Sequence, residues 1–348
     1  MAATSGLRAA LIGCGGMGRG HARNAQQLGI EVVGYCDIVE AAAVRACEEF
    51  GGQYATTDAG RIMRDDRIDL LFIATHHDGH HPLALAGAQA GKHMLLEKPM
   101  CLTWEQAMEV AAAVERAGVK MVINHKFRIS PATQKTRELL PRPRVSHGHL
   151  AMTDSSRGRS AWLWRPDDGG GLTLSTASHT VDLLYYLMAS RAERVYAEGR
   201  RFAPAGKGDT GYPDGLAGTI AWQSGAISTV ISTDQGQNPY SSKFFVQLAD
   251  GERSAVLHAH ITGEAANRYL QRRAARFAQE ARVGARITRV HALFLRAIFA
   301  WQRRAARDRG IVGGAQSGAV TFIQRFGGQL NLNVHFLDAR GEHRTYGS

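Results

Sequence analysis

The glycine cluster Gly13-Cys14-Gly15-Gly16-Met17-Gly18 follows a short apolar run, residues 7–13, and precedes a stretch, 21–28, that reads as a helix. A strand feeding a helix through Gly-x-Gly-x-x-Gly is suited to a pyrophosphate. Gly13 permits the tight turn, Gly15 lets backbone approach the phosphates, and Gly18 allows the helix to lie close to the strand. The helix start, reached through Gly16 and Met17, offers N–H groups and a partial positive charge. Asp37 follows Gly18 by 19 residues (37 − 18), where an acid accepts hydrogen bonds from the adenosine ribose hydroxyls. A carboxylate there repels a 2′-phosphate, so the cofactor expected is NAD rather than NADP.

The elements around this motif alternate. Residues 31–35 read as a strand ending near Asp37, 38–50 as an Ala-rich helix, and 69–75 as a continuous apolar run, the pattern of a strand buried on both faces. A helix at 83–90 closes on Gly91, a strand at 93–97 stops at Pro99, and Thr103 caps a helix running to residue 117 ahead of Gly118. Residues 120–124 make one more strand. Repeated β-α units imply a parallel sheet with helices on both faces, that is, an α/β Rossmann domain over 1–123. Strands at 145–155, 193–202, 216–234 and 243–250, with a hairpin turn at Ser224-Gly225, follow in an α+β second domain over 124–260.

Residues 75–99, Thr75-His76-His77 onward to Gly91-Lys92-His93 and Glu97-Lys98-Pro99, carry a wider pattern. It continues through Asn124-His125-Lys126-Phe127, Ser130-Pro131-Ala132, Trp164-Arg165-Pro166-Asp167-Asp168-Gly169-Gly170-Gly171 and His179-Thr180-Val181-Asp182. With the glycine motif, this order resembles the glucose–fructose oxidoreductase / inositol dehydrogenase / MocA (Gfo/Idh/MocA) family over residues 1 to about 235. The resemblance implies a large, mostly antiparallel sheet on the substrate side. It implies hydride transfer between a nicotinamide and a sugar, cyclitol or related polyol.

Oxidising a secondary alcohol needs a base for the hydroxyl proton while hydride leaves for the nicotinamide. Lys98 ends a strand at the carboxyl edge of the sheet, where ligands bind in open α/β folds, and its ammonium can orient a hydroxyl. His179, with a usual pKa near neutrality, suits the base. The resemblance puts both in these catalytic roles. It also puts Thr75, His80, Glu97 and Lys98 at the cofactor, with Glu97 steadying Lys98. Asn124, Lys126, Trp164, Arg165, Ser175 and His179 fall at the substrate. Three positions depart from the family pattern: Ser175 stands where polyol-oxidising members carry Asp, Ala177 where Gly is usual, and His76 where Pro follows Thr. Serine cannot stabilise an imidazolium by charge, so a non-catalytic NAD-binding protein, or a member using NAD transiently in glycoside cleavage or epimerisation, stands beside the dehydrogenase reading.

The net charge of +11 is unevenly placed. Residues 261–310 hold twelve Arg against Glu264, Glu280 and Asp308, a net of +9, and no lysine follows Lys243. Val290, Leu293, Phe294, Ala297, Ile298 and Trp301 form one helical stripe flanked by Arg289, Arg296, Arg303 and Arg307. This reads as an Arg-rich helical tail over 261–348, open to phosphates and so to nucleic acid. Residues 290–336, with the string 324–327 (QRFG) and 330–336 (LNLNVHF), resemble rolling-circle insertion-sequence transposases of the two-tyrosine, His-hydrophobic-His type. His335 is present but Leu337 occupies its partner's position. The expectation is a chimera whose oxidoreductase part stops between about 235 and 265, leaving the second sheet short of its last strands and an edge unpaired.

The remaining features are exclusions. The chain has 348 residues, 44 % of them apolar and 21 % charged, ample for two folded domains. Its four cysteines, Cys14, Cys36, Cys47 and Cys101, show no C-x-x-C spacing and point to a reducing, cytoplasmic setting. No apolar run reaches membrane-span length, and the N-terminus lacks the pattern of a signal peptide. The cluster His76, His77, His80, His81 has no acid or cysteine at zinc spacing, so no metal is expected and all but His80 read as solvated loop residues. A homo-oligomer is expected if the second sheet is intact.

Overall fold

The computed structural model describes residues 6–153, 161–165, 168–202, 213–236, 242–261, 333–337 and 343–346. Six parallel strands form the first sheet in the order β3-β2-β1-β4-β5-β6: β1 (Arg8–Ile12), β2 (Glu31–Cys36), β3 (Tyr54–Thr56), β4 (Leu70–Ile73), β5 (His93–Leu96) and β6 (Met121–Ile123). Its helices are α1 (Gly16–Gln27), α2 (Glu40–Phe50), α3 (Ala59–Met63), α4 (His77–Gln89) and α5 (Trp104–Ala117). The central strand β4 is buried along its whole length, so an unbroken apolar run is what it needs. Apolar residues fill both faces of the sheet: Ile12, Leu71 and Met94 belong to one core, Leu11, Tyr35 and Phe72 to the other. Thr103 caps α5 with a reciprocal capping box to Gln106, and Gly118 ends it in the left-handed conformation.

Two elements of this domain carry no strong sequence signal. β3 is three residues long, and α3 is a five-residue helix capped by the Asp58 side chain on the Gly60 N–H. α4 starts at His77 rather than after Pro82, which lies inside the helix, where its ring gives up the bond an N–H would make to the Asp78 carbonyl.

The second sheet has eight strands in the order β14-β13-β12-β11-β7-β10-β9-β8. They are β7 (Val145–Thr153), β8 (Ala192–Arg200), β9 (Gly215–Trp222), β10 (Ile227–Gly236), β11 (Ser242–Ala249), β12 (Ser254–Ile261), β13 (Asn333–Leu337) and β14 (His343–Tyr346). All neighbours are antiparallel except β7 and β10. Helices α6 (Pro131–Leu139) and α7 (Gly171–Met188) accompany this sheet. Gly148 of β7 makes room for α7, since a Cβ there would meet Thr180 at 2.5 Å. The core between them includes Leu183, Leu184, Leu187, Trp222, Val246 and Leu257.

The end of the chain departs from the expected truncated sheet. β13 pairs antiparallel with β12, and β14 with β13, so the edge beyond β12 is occupied. These residues are strands, not part of a helical tail; the alternation Leu330, Leu332, Val334, Phe336 is the period-two signal for it. The Arg-flanked stripe 289–307 lies outside the described residues, as does most of the 290–336 resemblance.

Candidate active site

The glycine turn is built by exclusion. Gly13 adopts φ +94°, and a Cβ on it would lie 2.5 Å from the Ala74 carbonyl. A Cβ on Gly18 would come within 1.8 Å of the Gly13 carbonyl oxygen, so α1 crosses β1 at a distance only glycine allows. Gly15 and Gly16 face open space instead, with no atom within 4 Å of an added Cβ, and Met17 is exposed. The start of α1 is thus bare backbone with its N–H groups outward, which fits a dinucleotide pyrophosphate. Asp37 follows β2 beside it. One carboxylate oxygen accepts from the Cys14 N–H at 2.7 Å and the other from the Val39 N–H at 2.9 Å, which aims the acid across the mouth of the turn.

Lys98 follows β5 and precedes a cis peptide bond to Pro99. Its Nζ donates to Ser175 Oγ at 2.9 Å and to the Ser175 carbonyl at 3.3 Å, across to α7. Ser178 Oγ donates to the same carbonyl at 3.0 Å. Burial, with the nearby Lys126 charge, lowers the Lys98 pKa to about 8 against the opposing pull of Glu97. Burial also lowers Lys126.

His179 stands one helical turn after Ser175, its ring edge-on to Phe127 with centroids 5.1 Å apart. Burial, then the charges of Lys98 and Lys126, depress its pKa well below the usual 6.5, so the imidazole is neutral at pH 7. Its buried Nδ1 has no hydrogen-bond partner among the described residues. The arrangement holds a cation, a hydroxyl and a neutral imidazole on one face, the set needed to orient a hydroxyl and take its proton.

Asn124 and His80 sit differently from expectation, and Glu97 meets Lys98 through its backbone rather than its ammonium. Glu97 makes no side-chain bond to the Lys98 ammonium. It is buried, accepts from His21 Nε2 at 2.8 Å and Asn124 Nδ2 at 2.6 Å, and takes the Lys98 backbone N–H at 3.3 Å. Burial pushes this carboxyl up, but the bonds from His21 and Asn124 outweigh it and hold the pKa at about 2. Asn124, expected at the substrate, is 1 % exposed and spends its amide on Glu97. His80, expected at the cofactor, is fully buried with Nδ1 on the Pro99 carbonyl at 2.7 Å, so it braces the turn after Lys98. Thr75 Oγ1 donates to the His76 carbonyl at 2.9 Å. Lys126 begins a 3-10 turn, Lys126–Ile129, with Nζ 5.7 Å from the Phe127 ring centroid. Arg165 is exposed and ion-paired with Asp168; Trp164 ends the 3-10 turn Ala161–Trp164.

The histidines after β4 are not solvated loop residues. His77 is buried with Nδ1 on the Gly169 carbonyl at 2.7 Å, and His76 stacks on Trp162 at 4.1 Å. They seat the first domain on the Gly-rich turn before α7, helped by the Asp78 N–H on the Asp168 carbonyl at 3.0 Å. Among the described residues, no group of three His, Cys, Asp or Glu could hold a metal ion, and no helix is long and apolar enough to cross a membrane. His21 was missed altogether by sequence reasoning; a polar residue on the sheet-facing side of α1 was the available signal.

Comparison with known proteins bears on this site. Residues 7–125 match the model of the GFO_IDH_MocA oxidoreductase family, NAD-binding Rossmann fold, and residues 142–254 that of the GFO/IDH/MocA C-terminal domain. A 1,5-anhydro-D-fructose reductase of Ensifer adhaerens is 29 % identical over 209 residues, 56 % of this chain and 60 % of that protein. A myo-inositol 2-dehydrogenase of Thermotoga maritima is 22 % identical over 76 % of this chain and 81 % of its own length. The structure of a levoglucosan dehydrogenase in complex with NADH and levoglucosan superposes with a TM-score of 0.74 at 21 % identity, covering 86 % of this chain and 97 % of that one, a likeness of fold.

Proposed function

The chain belongs to the Gfo/Idh/MocA family of oxidoreductases, and on that premise we propose that it moves a hydride between NAD and a hydroxyl, or the matching carbonyl, of a sugar, cyclitol or related polyol. The observation that carries this reading is the Lys98 ammonium bonded to Ser175 Oγ one helical turn from the neutral His179. The named activities of the relatives, on an anhydrosugar and on an inositol, support the substrate class.

The glycine turn and the α1 N-terminus would hold the pyrophosphate, and Asp37 the adenosine ribose. Asp37 favours NAD over NADP by charge. When bound, the nicotinamide supplies the hydride acceptor or donor. Lys98 orients the substrate hydroxyl and stabilises negative charge growing on its oxygen. His179, neutral and with Nδ1 open, accepts the hydroxyl proton. Ser175 adds no charge to stabilise the resulting imidazolium, so the proton transfer relies on the substrate pocket itself. Lys126, Trp164 and Arg165 complete the substrate side.

Titration with NADH, followed by cofactor fluorescence, tests the first half. Saturable binding that Asp37→Ala weakens supports the reading, and a tighter fit to NADPH than to NADH overturns the cofactor choice. A screen of polyols and sugars, with Lys98→Met as control, tests the second. Turnover lost on Lys98→Met with NADH binding retained supports it. NADH binding with no turnover of any polyol favours the alternative that Ser175 raises, a non-catalytic NAD-binding protein or a transient user of NAD in glycoside cleavage or epimerisation.

The transposase likeness of 290–336 implies a chimera and an impaired enzyme; the paired strands β13 and β14 weigh against an open sheet edge. The +9 charge of 261–310 supports casual nucleic-acid binding, which would fade steeply between roughly 50 and 200 mM salt. The second sheet exposes Val145, Tyr196, Ile227 and Ile231, a surface through which copies of the chain would pair.

A further inference from the structure

We propose that His21 and Asn124 are positioning residues for Lys98, acting through the buried Glu97 carboxylate that they hold. The proposal rests on the role given to Lys98 above. Three donors from three elements converge on one carboxylate. His21 Nε2 from α1 and Asn124 Nδ2 from the end of β6 both reach Oε1, at 2.8 and 2.6 Å. The other oxygen takes the backbone N–H of Lys98 itself at 3.3 Å. All three side chains are buried, with His21 4 %, Glu97 6 % and Asn124 1 % exposed. The His21 ring lies flat on Phe72 of β4, 3° from parallel at 5.8 Å, which fixes the direction of its N–H.

A carboxyl this deeply buried would take up a proton if left alone. Its donors keep it charged, and that charge stands one residue from Lys98. It opposes the burial and the Lys126 charge that drive the lysine toward the neutral amine. The clamp also fixes the backbone from which the Lys98 side chain crosses to Ser175. Because α1 is the helix whose first turn would hold the pyrophosphate, cofactor seating and the Lys98 ammonium share one brace. A purely structural His21 would fill the space over Phe72 and nothing more, and two substitutions separate these roles. His21→Phe keeps a flat ring and removes the donor, whereas His21→Gln keeps an N–H donor and removes the ring.

The readout is the titration of Lys98, obtained by competitive acetylation of the full chain with acetic anhydride from about pH 6 to 10 and mass spectrometry of the Lys98 peptide. Thermal unfolding and NADH binding are followed alongside. Glu97→Gln should move the midpoint to lower pH by about 1 or more. His21→Phe and Asn124→Leu should move it in the same direction, and His21→Gln should leave it near the wild-type value. An unmoved midpoint in folded His21→Phe, equal movement in His21→Phe and His21→Gln, or no response to Glu97→Gln each overturns the proposal. If His21→Phe does not fold, Asn124→Leu carries the same test through the other donor. Wild-type protein that fails to bind NADH sinks the functional reading, while the Lys98 titration still decides this one.

Discussion

Ser175 meets Lys98 without offsetting its burial. The serine hydroxyl 2.9 Å from Nζ accepts a hydrogen bond but offers no charge, so burial, opposed by Glu97, lowers the lysine pKa to about 8. Ser175→Asp places a carboxylate at that point and should raise the Lys98 midpoint, read by the same competitive acetylation; a midpoint that falls would contradict the electrostatic account. His77 and His179 act on stability. Both are held neutral, with pKa values well below 6.5, whereas the unfolded chain protonates them near 6.5. Below that pH the unfolded state binds more protons, so stability is lost as pH falls from about 6.5. Glu97 adds to the loss lower down. Its pKa is held at about 2 against an ordinary 4.5, so its contribution is complete above 4.5 and disappears as pH falls toward 2. Urea midpoints across this range should drop in two stages, and His179→Phe, if folded, should flatten the upper one.

At the scale of elements, the turn from β1 to α1 is sterically closed on one side and open on the other. Gly18→Ala drives a methyl into the Gly13 carbonyl and should destabilise by more than about 3 kcal/mol, because backbone cannot step aside as a side chain can. Gly15→Ala meets no atom of the protein, so it should leave thermal stability nearly unchanged while weakening NADH binding. Equal losses of stability in the two variants would refute this division. Thr103→Ala removes half of a capping box at α5 and should cost about 1 kcal/mol without touching the cofactor. These motifs were legible in the sequence because each is local: a turn, a cap or a buried strand is set by residues within a few positions of one another. β3 and α3 were not, since three- and five-residue elements are held by neighbours rather than by their own pattern.

At the scale of the molecule, the two domains meet where His76, His77 and Asp78 reach Trp162, Asp168 and Gly169. This contact brings α7, with Ser175 and His179, over the end of β5. The strands β13 and β14 occupy the edge beyond β12. Deleting residues 333–348 should therefore expose that edge and promote aggregation, seen by light scattering; a deletion variant as soluble and monodisperse as the full chain would count against it. Substituting Ile227 and Ile231, both exposed on the second sheet, by Lys should shift any dimer toward monomer in the same measurement.

The alternation of strands and helices could be read from the chain alone, and so could the positions proposed for chemistry, Gly13 to Gly18, Asp37, Lys98 and His179. Sequence determines these because period, glycine spacing and caps act over short distances. Which polar groups face a ligand and which face one another was decided only by tertiary structure. Asn124 and His80 read as site residues yet turn inward to Glu97 and to Pro99, and His21, 76 residues from Glu97, becomes its hydrogen-bond partner. A buried carboxylate must find donors wherever the packed chain supplies them, and no spacing along the sequence records where that will be.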